Sequence, residues 1–272
     1  MKSSIFNSVG DFFALDIGSS AIRVVQLRGS GAHQTLVKYG AVAVDVKTAL
    51  SDAPSDRLKI AEAVKSLIAE TAITTRNVAV GIPSNKAFVT IADVPKMTPQ
   101  EFGGTIKYQA DQFIPMSVDE AKIDWVILGD SPVENGKMEV LLASVANKFS
   151  EERLDMLEAI GLNVISLEPD SLALSRSLTT ATNQSAGQLI VDVGEYTTDI
   201  AITFGGVPRL VRTIPTGGQT MARASAQILS VEDNQANQLM YKFGLDSSKL
   251  EGQVARALEP SVESITAEIQ KS

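Results

Sequence analysis

Leu15-Asp16-Ile17-Gly18-Ser19-Ser20-Ala21-Ile22 and, far along the chain, Val191-Asp192-Val193-Gly194-Glu195-Tyr196-Thr197-Thr198 share one pattern. Each has an apolar strand, an aspartate, an apolar residue, a glycine, and a polar turn into a second strand. A repeat of this kind points to two related structural halves. Glycine at the turn lets the backbone approach another group closely, turn amides and Ser/Thr hydroxyls are donors, and an aspartate at the strand end offers a carboxylate to a cation. That combination suits phosphate binding, with the two hairpins facing one another across a cleft. A single Asp-x-Gly turn also serves as a plain structural turn, so the recurrence carries the argument.

Outward from the first copy, Phe12 to Gly18 reads as a buried strand, Ala21 to Leu27 as a second, and Gln34 to Val44 as a third returning through the turn Gly29-Ser30-Gly31-Ala32-His33. Ser55 opens a helix with Leu58, Ala61, Val64, Leu67 and Ile68 at three- and four-residue intervals. Asn77 to Ile82 is a further buried strand stopped by Pro83. The pattern then changes. Phe88 to Val94 alternates as a strand, and Thr98-Pro99-Gln100-Glu101 starts a helix ending near Gln112-Phe113-Ile114-Pro115. Ile123 to Leu128 and Met138 to Val145 form two strands around Glu134-Asn135-Gly136-Lys137, where Asn-Gly favours a tight hairpin. Ser150 is expected to cap a helix to Ile160, and Leu162 to Leu167 is a strand leading through Glu168-Pro169-Asp170 into a helix ending at Leu178.

The polar run Thr179 to Gly187 is the best linker candidate. Beyond it, the second copy starts a meander with its hairpin at Phe204-Gly205-Gly206-Val207. Pro215-Thr216-Gly217-Gly218-Gln219-Thr220 then enters a helix bearing Met221, Ala224, Ile228 and Leu229. The expected organisation is α/β: residues 1–76 as the first half, 77–148 as an inserted small subdomain, 149–186 returning to the first half with a connecting helix, and 187–272 as the second half.

Composition narrows the chemistry. The 272 residues carry a formal net charge of -8, with 44% hydrophobic and 21% charged residues, an ordinary folding profile. Acidity without a Lys/Arg block disfavours a nucleic-acid partner. The absence of cysteine removes disulfides, thiol nucleophiles and thiolate metal sites, and the one histidine, His33, reads as a polar turn residue. The start Met1-Lys2-Ser3-Ser4-Ile5-Phe6 lacks a secretory signal's basic and apolar regions, and no stretch approaches the about 18 apolar residues that span a bilayer. A cytoplasmic chain is expected. Between the two copies, Glu168 or Asp170 could orient a water towards a terminal phosphate, while Asp170 could equally cap its helix. Gly217 and Gly218 ahead of a helix suit a phosphate or ribose, or an ordinary strand-to-helix turn.

Taken with Val78-Ala79-Val80-Gly81-Ile82-Pro83, Val94-Pro95, Phe113-Ile114-Pro115, Ile123-Asp124-Trp125-Val126-Ile127-Leu128 and Arg212-Thr213-Ile214-Pro215-Thr216-Gly217-Gly218, these motifs resemble the actin-like (RNase H-like) ATPase fold shared with FtsA and Hsp70, and within it the PilM family of type IV pilus assembly. The resemblance implies ATP with Mg²⁺. It places phosphate contacts at Gly18, Ser19, Ser20, Gly194, Tyr196 and Thr197, the metal near Asp16 and Asp192, and Thr216, Gly217 and Gly218 by the ribose and phosphates. It also implies a partner, the N-terminal cytoplasmic tail of a PilN-like inner-membrane protein, with a pilus motor ATPase and self-association as further contacts and the membrane reached only through the partner.

Two features depart from the family pattern. Arg23 stands where Lys is frequent, which keeps the charge and changes its reach. The sequence also stops at Ser272, ahead of the Gly-Gly adenosine segment the family carries. An adaptor with slow or absent hydrolysis is the expected function. The rival readings are an FtsA-like division protein and a sugar-kinase-like phosphotransferase.

Overall fold

The computed structural model describes residues 10–29, 33–179 and 186–271. The amino-terminal segment, the turn residues Ser30 to Ala32 and most of the predicted linker lie outside them. In chain order the elements are β1 (Phe13–Ile17), β2 (Ala21–Arg28), β3 (Thr35–Ala43), α1 (Val46–Leu50), α2 (Pro54–Glu70), β4 (Asn77–Ile82), β5 (Ala87–Pro95), α3 (Pro99–Ala110), β6 (Ala121–Asp130), β7 (Lys137–Ala146), α4 (Asn147–Ala159), β8 (Asn163–Pro169) and α5 (Asp170–Leu178). There follow β9 (Gly187–Val193), β10 (Thr198–Phe204), β11 (Val207–Ile214), α6 (Gly218–Leu229), α7 (Asp233–Phe243) and α8 (Gln253–Lys271). Two compact units result, Met1–Leu174 and Ser175–Ser272, so the division falls within α5 rather than in the polar run after it.

The first unit is built on a five-stranded sheet of order β3-β2-β1-β4-β8. β1 to β3 form an antiparallel meander, and β4 and β8 join parallel to β1. Alternation makes this register obligatory, since a one-residue slip of β1 would expose Phe13, Leu15 and Ile17, which are 0%, 1% and 5% exposed. They pack with Ile22 and Val24 against the α2 face Ile60, Val64 and Leu67 and against Leu157 of α4. Leu58 departs from expectation and is 68% exposed. At about 100° per residue it lies about 130° from the centre of the stripe formed by Ile60, Ala61, Val64 and Leu67. Three-residue spacing alone had not fixed the phase.

β4 sits in the middle of this large sheet, which takes residues 77–82 out of the expected small subdomain. The small sheet, of order β5-β7-β6, starts at Ala87 and ends at Ala146. α3 covers one face through Phe102, whose ring meets Trp125 edge-on at 4.8 Å. Its predicted start holds in detail. Thr98 accepts the Glu101 amide while Glu101 accepts the Thr98 amide, a capping box with Pro99 at the first turn. Two local expectations fail. The β6–β7 connection runs from Ser131 to Gly136 rather than closing on Asn135-Gly136 alone, because Asp130 already pairs with Met138. Ser150 is buried inside α4, donating to the Asn147 carbonyl at 2.9 Å, and the helix begins three residues earlier, after Ala146.

The second unit repeats the first meander as a sheet of order β11-β10-β9. Gly205 and Gly206, at φ 62° and 78°, make the two-residue turn whose twist suits a hairpin. α6 and α8 pack closely through small residues, with the Ser225 hydroxyl on the Ala257 carbonyl at 3.4 Å. On α6 the buried positions are Ala222, Ser225 and Ala226, while Ile228 is 57% exposed. On α8 the apolar face packs inward at Val254, Ala257, Leu258 and Ile265.

Candidate functional site

The two predicted turns have one backbone geometry. In the first unit the Gly18 amide donates to the Ala21 carbonyl at 3.0 Å, and in the second the Gly194 amide donates to the Thr197 carbonyl at 2.8 Å. A Cβ would stand 3.1 Å from the Ala21 oxygen at Gly18 and 3.0 Å from the Thr197 oxygen at Gly194, tighter than nine in ten real Cβ contacts. A side chain at either glycine would need the facing carbonyl to give by a few tenths of an ångström, so glycine eases the turn in both places. Ser19 and Ser20, and likewise Tyr196 and Thr197, occupy these turns half-buried.

The charges around the turns differ. Asp16 and Arg23 are register partners on β1 and β2, and Arg23 Nη1 donates to Asp16 Oδ2 at 3.0 Å. The pair is about half exposed, so it contributes little to stability but supplies a local counter-charge. In the second unit the partner of Asp192 is Asp199, another carboxylate, which accepts the Thr213 hydroxyl at 2.6 Å. Among the described residues no group of three or more His, Cys, Asp or Glu side chains could hold a metal ion. A cation at either aspartate would need ligands from elsewhere.

Thr216, Gly217 and Gly218 lie against the second turn. The Gly218 amide donates to the Gly194 carbonyl and the Gln219 amide to the Glu195 carbonyl, both at 2.9 Å. The fully buried Thr198 donates its hydroxyl to the Thr216 carbonyl at 2.7 Å. Two leading amides of α6 are thus satisfied by the turn itself. A Cβ at Gly217 would meet the Gly194 oxygen at 2.5 Å and the Glu195 carbonyl atoms at 2.7 Å, which explains the first glycine of the pair.

Glu168 lies on β8 opposite Gly81 of β4, and Asp170 opens α5. A Cβ at Gly81 would overlap Asp170 Oδ1, so this glycine leaves room for the carboxylate. Sequence reasoning missed a neighbouring group at the root of the small sheet. Lys86, on the entering segment, lies 5.7 Å from the centroid of the Phe149 ring, and Arg153, one turn along α4, lies 5.2 Å from it. Lys86 also pairs with Asp52 at 3.8 Å. Burial pushes the Arg153 guanidinium below its ordinary range, while the Asp170 and Asp52 carboxylates pull it back. Only the i, i+4 spacing of Phe149 and Arg153 hinted at this group.

The duplicated meander, the parallel strands added to the first copy and the matched glycine turns define an actin-like ATPase fold. Solved structures agree. One is the PilM–PilN type IV pilus biogenesis complex, at TM-score 0.78 and 20% identity over 95% of this chain and 75% of that one. Another is MreB5 of Spiroplasma citri bound to ADP, at TM-score 0.55 and 13% identity over 97% and 78%. Within this class, residues 14–272 match the family described as type IV pilus assembly protein PilM, and the chain belongs to that family. The cell division protein FtsA of Escherichia coli K12 is 28% identical over 123 residues, 45% of this chain and 29% of FtsA. Among the described residues no helix is long and apolar enough to cross a membrane.

Proposed function

We propose that this chain is an adaptor of the type IV pilus assembly platform, at the cytoplasmic face of the inner membrane. In this reading it binds the extended N-terminal cytoplasmic tail of a PilN-like membrane protein, with Mg²⁺-ATP as a conformational ligand hydrolysed slowly or not at all. The observation that carries it is the family match from residue 14 to residue 272, which takes in both glycine turns and the small sheet together. The likeness to a PilM–PilN complex supports the choice of partner. An extended tail suits a fold with edge strands such as β5 and β6, since a strand edge supplies backbone partners to a bound peptide.

The nucleotide reading rests on the turns. Gly18 and Gly194 would let phosphate oxygens approach the backbone, Ser19 and Ser20 with Tyr196 and Thr197 would offer amides and hydroxyls to them, and Arg23 would add a guanidinium. Thr216, Gly217 and Gly218 would lie by the ribose and phosphates. Asp16 and Asp192 would hold Mg²⁺ through water, the nucleotide supplying the remaining ligands. Glu168 and Asp170 are the carboxylates that would orient a hydrolytic water. The test is titration of the folded chain with a synthetic tail peptide of the PilN-like protein encoded beside it. Saturable binding is expected, and a folded chain that ignores the peptide ends the adaptor reading. Separately, Mg²⁺-ATP at a hundredfold excess over Kd should stabilise the fold by about 2.7 kcal/mol through linkage and so raise the melting temperature, and Asp16→Ala or Asp192→Ala should remove the rise.

A further inference from the structure

We propose that Glu195 sets the nucleotide affinity of this chain, its carboxylate acting as a built-in brake on phosphate binding at the second turn; this rests on the nucleotide reading above. The repeat supplies the internal comparison. Ser19 follows the glycine of the first turn, and Glu195 follows the glycine of the second. The backbone at the two places is the same, with matching amide-to-carbonyl bonds of 3.0 and 2.8 Å. Only the side chain differs in charge at this position.

The position of the Glu195 side chain is informative. Its backbone carbonyl takes the Gln219 amide at 2.9 Å, which fixes the residue against the head of α6. Its Oε2 lies 3.8 Å from the place a Cβ would take on Gly218. The carboxylate therefore stands beside the glycine pair, which the nucleotide reading sets by the ribose and phosphates. The first turn has Arg23 paired with Asp16, whereas in the second the cross-strand partner of Asp192 is the acidic Asp199. A triphosphate held by this turn and the glycine pair would have the Glu195 carboxylate within a few ångströms. At such separations in a solvated site one charge pair changes binding about fivefold.

The experiment compares the intact chain with Glu195→Gln and Glu195→Ser, after circular dichroism has established that each is folded. Glutamine keeps the size of the side chain and serves if serine loosens the turn. Mg²⁺-ATP and Mg²⁺-tripolyphosphate are titrated by calorimetry at low and high salt. About fivefold tighter binding of both probes is expected in the variants at low salt, narrowing at high salt as the charge is screened. Equal affinities for wild type and variants at low salt, or weaker binding in the variants, would overturn the role given to Glu195 and leave the nucleotide reading standing. Failure of wild type and variants alike to bind either probe at millimolar concentration would remove the nucleotide reading, and this inference with it.

Discussion

Replacing Gly217 with alanine tests whether the second turn and the head of α6 form one locked unit. The backbone at Gly217, at φ -146° and ψ -170°, is open to any residue, so the cost comes from contact alone. The new Cβ would meet the Gly194 oxygen at 2.5 Å and Glu195 carbonyl atoms at 2.7 Å, all of them backbone and unable to swing aside. The turn and helix must separate. That breaks the Gly218 and Gln219 amide bonds and the Thr198 hydroxyl bond to Thr216. At about 1 kcal/mol each these total ~3 kcal/mol, and loss of glycine's freedom in the unfolded chain returns ~0.4–1 kcal/mol. A net loss of about 2–3 kcal/mol is expected. Gly218→Ala is the control, since its Cβ would have nothing nearer than 3.8 Å and would gain helix propensity of up to about 1 kcal/mol. Urea unfolding of the intact chain, followed by circular dichroism, reads the difference, and hydrogen exchange at the Gly218 and Gln219 amides locates it. Indistinguishable unfolding midpoints for the two variants, with both amides still protected, would refute the reasoning.

Three further outcomes follow from the packing and the charges. Leu15→Ala should cost about 2–5 kcal/mol while Leu58→Ala stays within about 0.5 kcal/mol, a contrast that thermal unfolding checks, because Leu15 is 1% and Leu58 68% exposed. Thr98→Ala should remove the α3 cap at a cost of about 1 kcal/mol, measurable as faster amide exchange in the first turn of α3. The Thr98 amide and hydroxyl hold the Glu101 carboxyl below its ordinary value, so this contribution is complete above pH 4.5 and fades as acid titrates the folded carboxylate; the acid side of the wild-type stability curve should be steeper than that of Thr98→Ala. Arg153→Ala should loosen the root of the small sheet, since it removes a cation from the Phe149 ring and a counter-charge from Asp170; limited proteolysis near Pro83 and Asn147 should speed up, whereas Arg153→Lys should restore most of the protection.

What could be read from the sequence was what is encoded locally. The strand-Asp-x-Gly-turn pattern was visible twice because glycine and the alternating apolar residues are each dictated by neighbours a few positions away. The Thr98 capping box was visible for the same reason. The phase of α2 was not, because Leu58 and Ile60 are equally apolar and only the packed sheet selects between them. Ser150 is as good a cap as any in isolation, yet the strand β7 passes into α4 earlier and buries it. β4 read as one more buried strand, and nothing within its six residues says which sheet it joins. The tie between the second turn and α6 was hidden because it joins backbone atoms more than 20 residues apart, for which no side-chain signature exists. Lys86, Phe149 and Arg153 were missed likewise, coming together only once the chain returns from the small sheet.

The way the small sheet is attached has an evolutionary consequence. Ala87 at its entrance and Val145 at its exit are paired residues on adjacent antiparallel strands, so the chain leaves and re-enters the first unit at nearly one point. A graft there leaves the β4–β8 register and the core that α2 and Leu157 share with the large sheet in place, and a short replacement loop costs little closure entropy. Lineages could thus trade this lobe for another and change whom the protein meets, while the glycine turns went on unaltered.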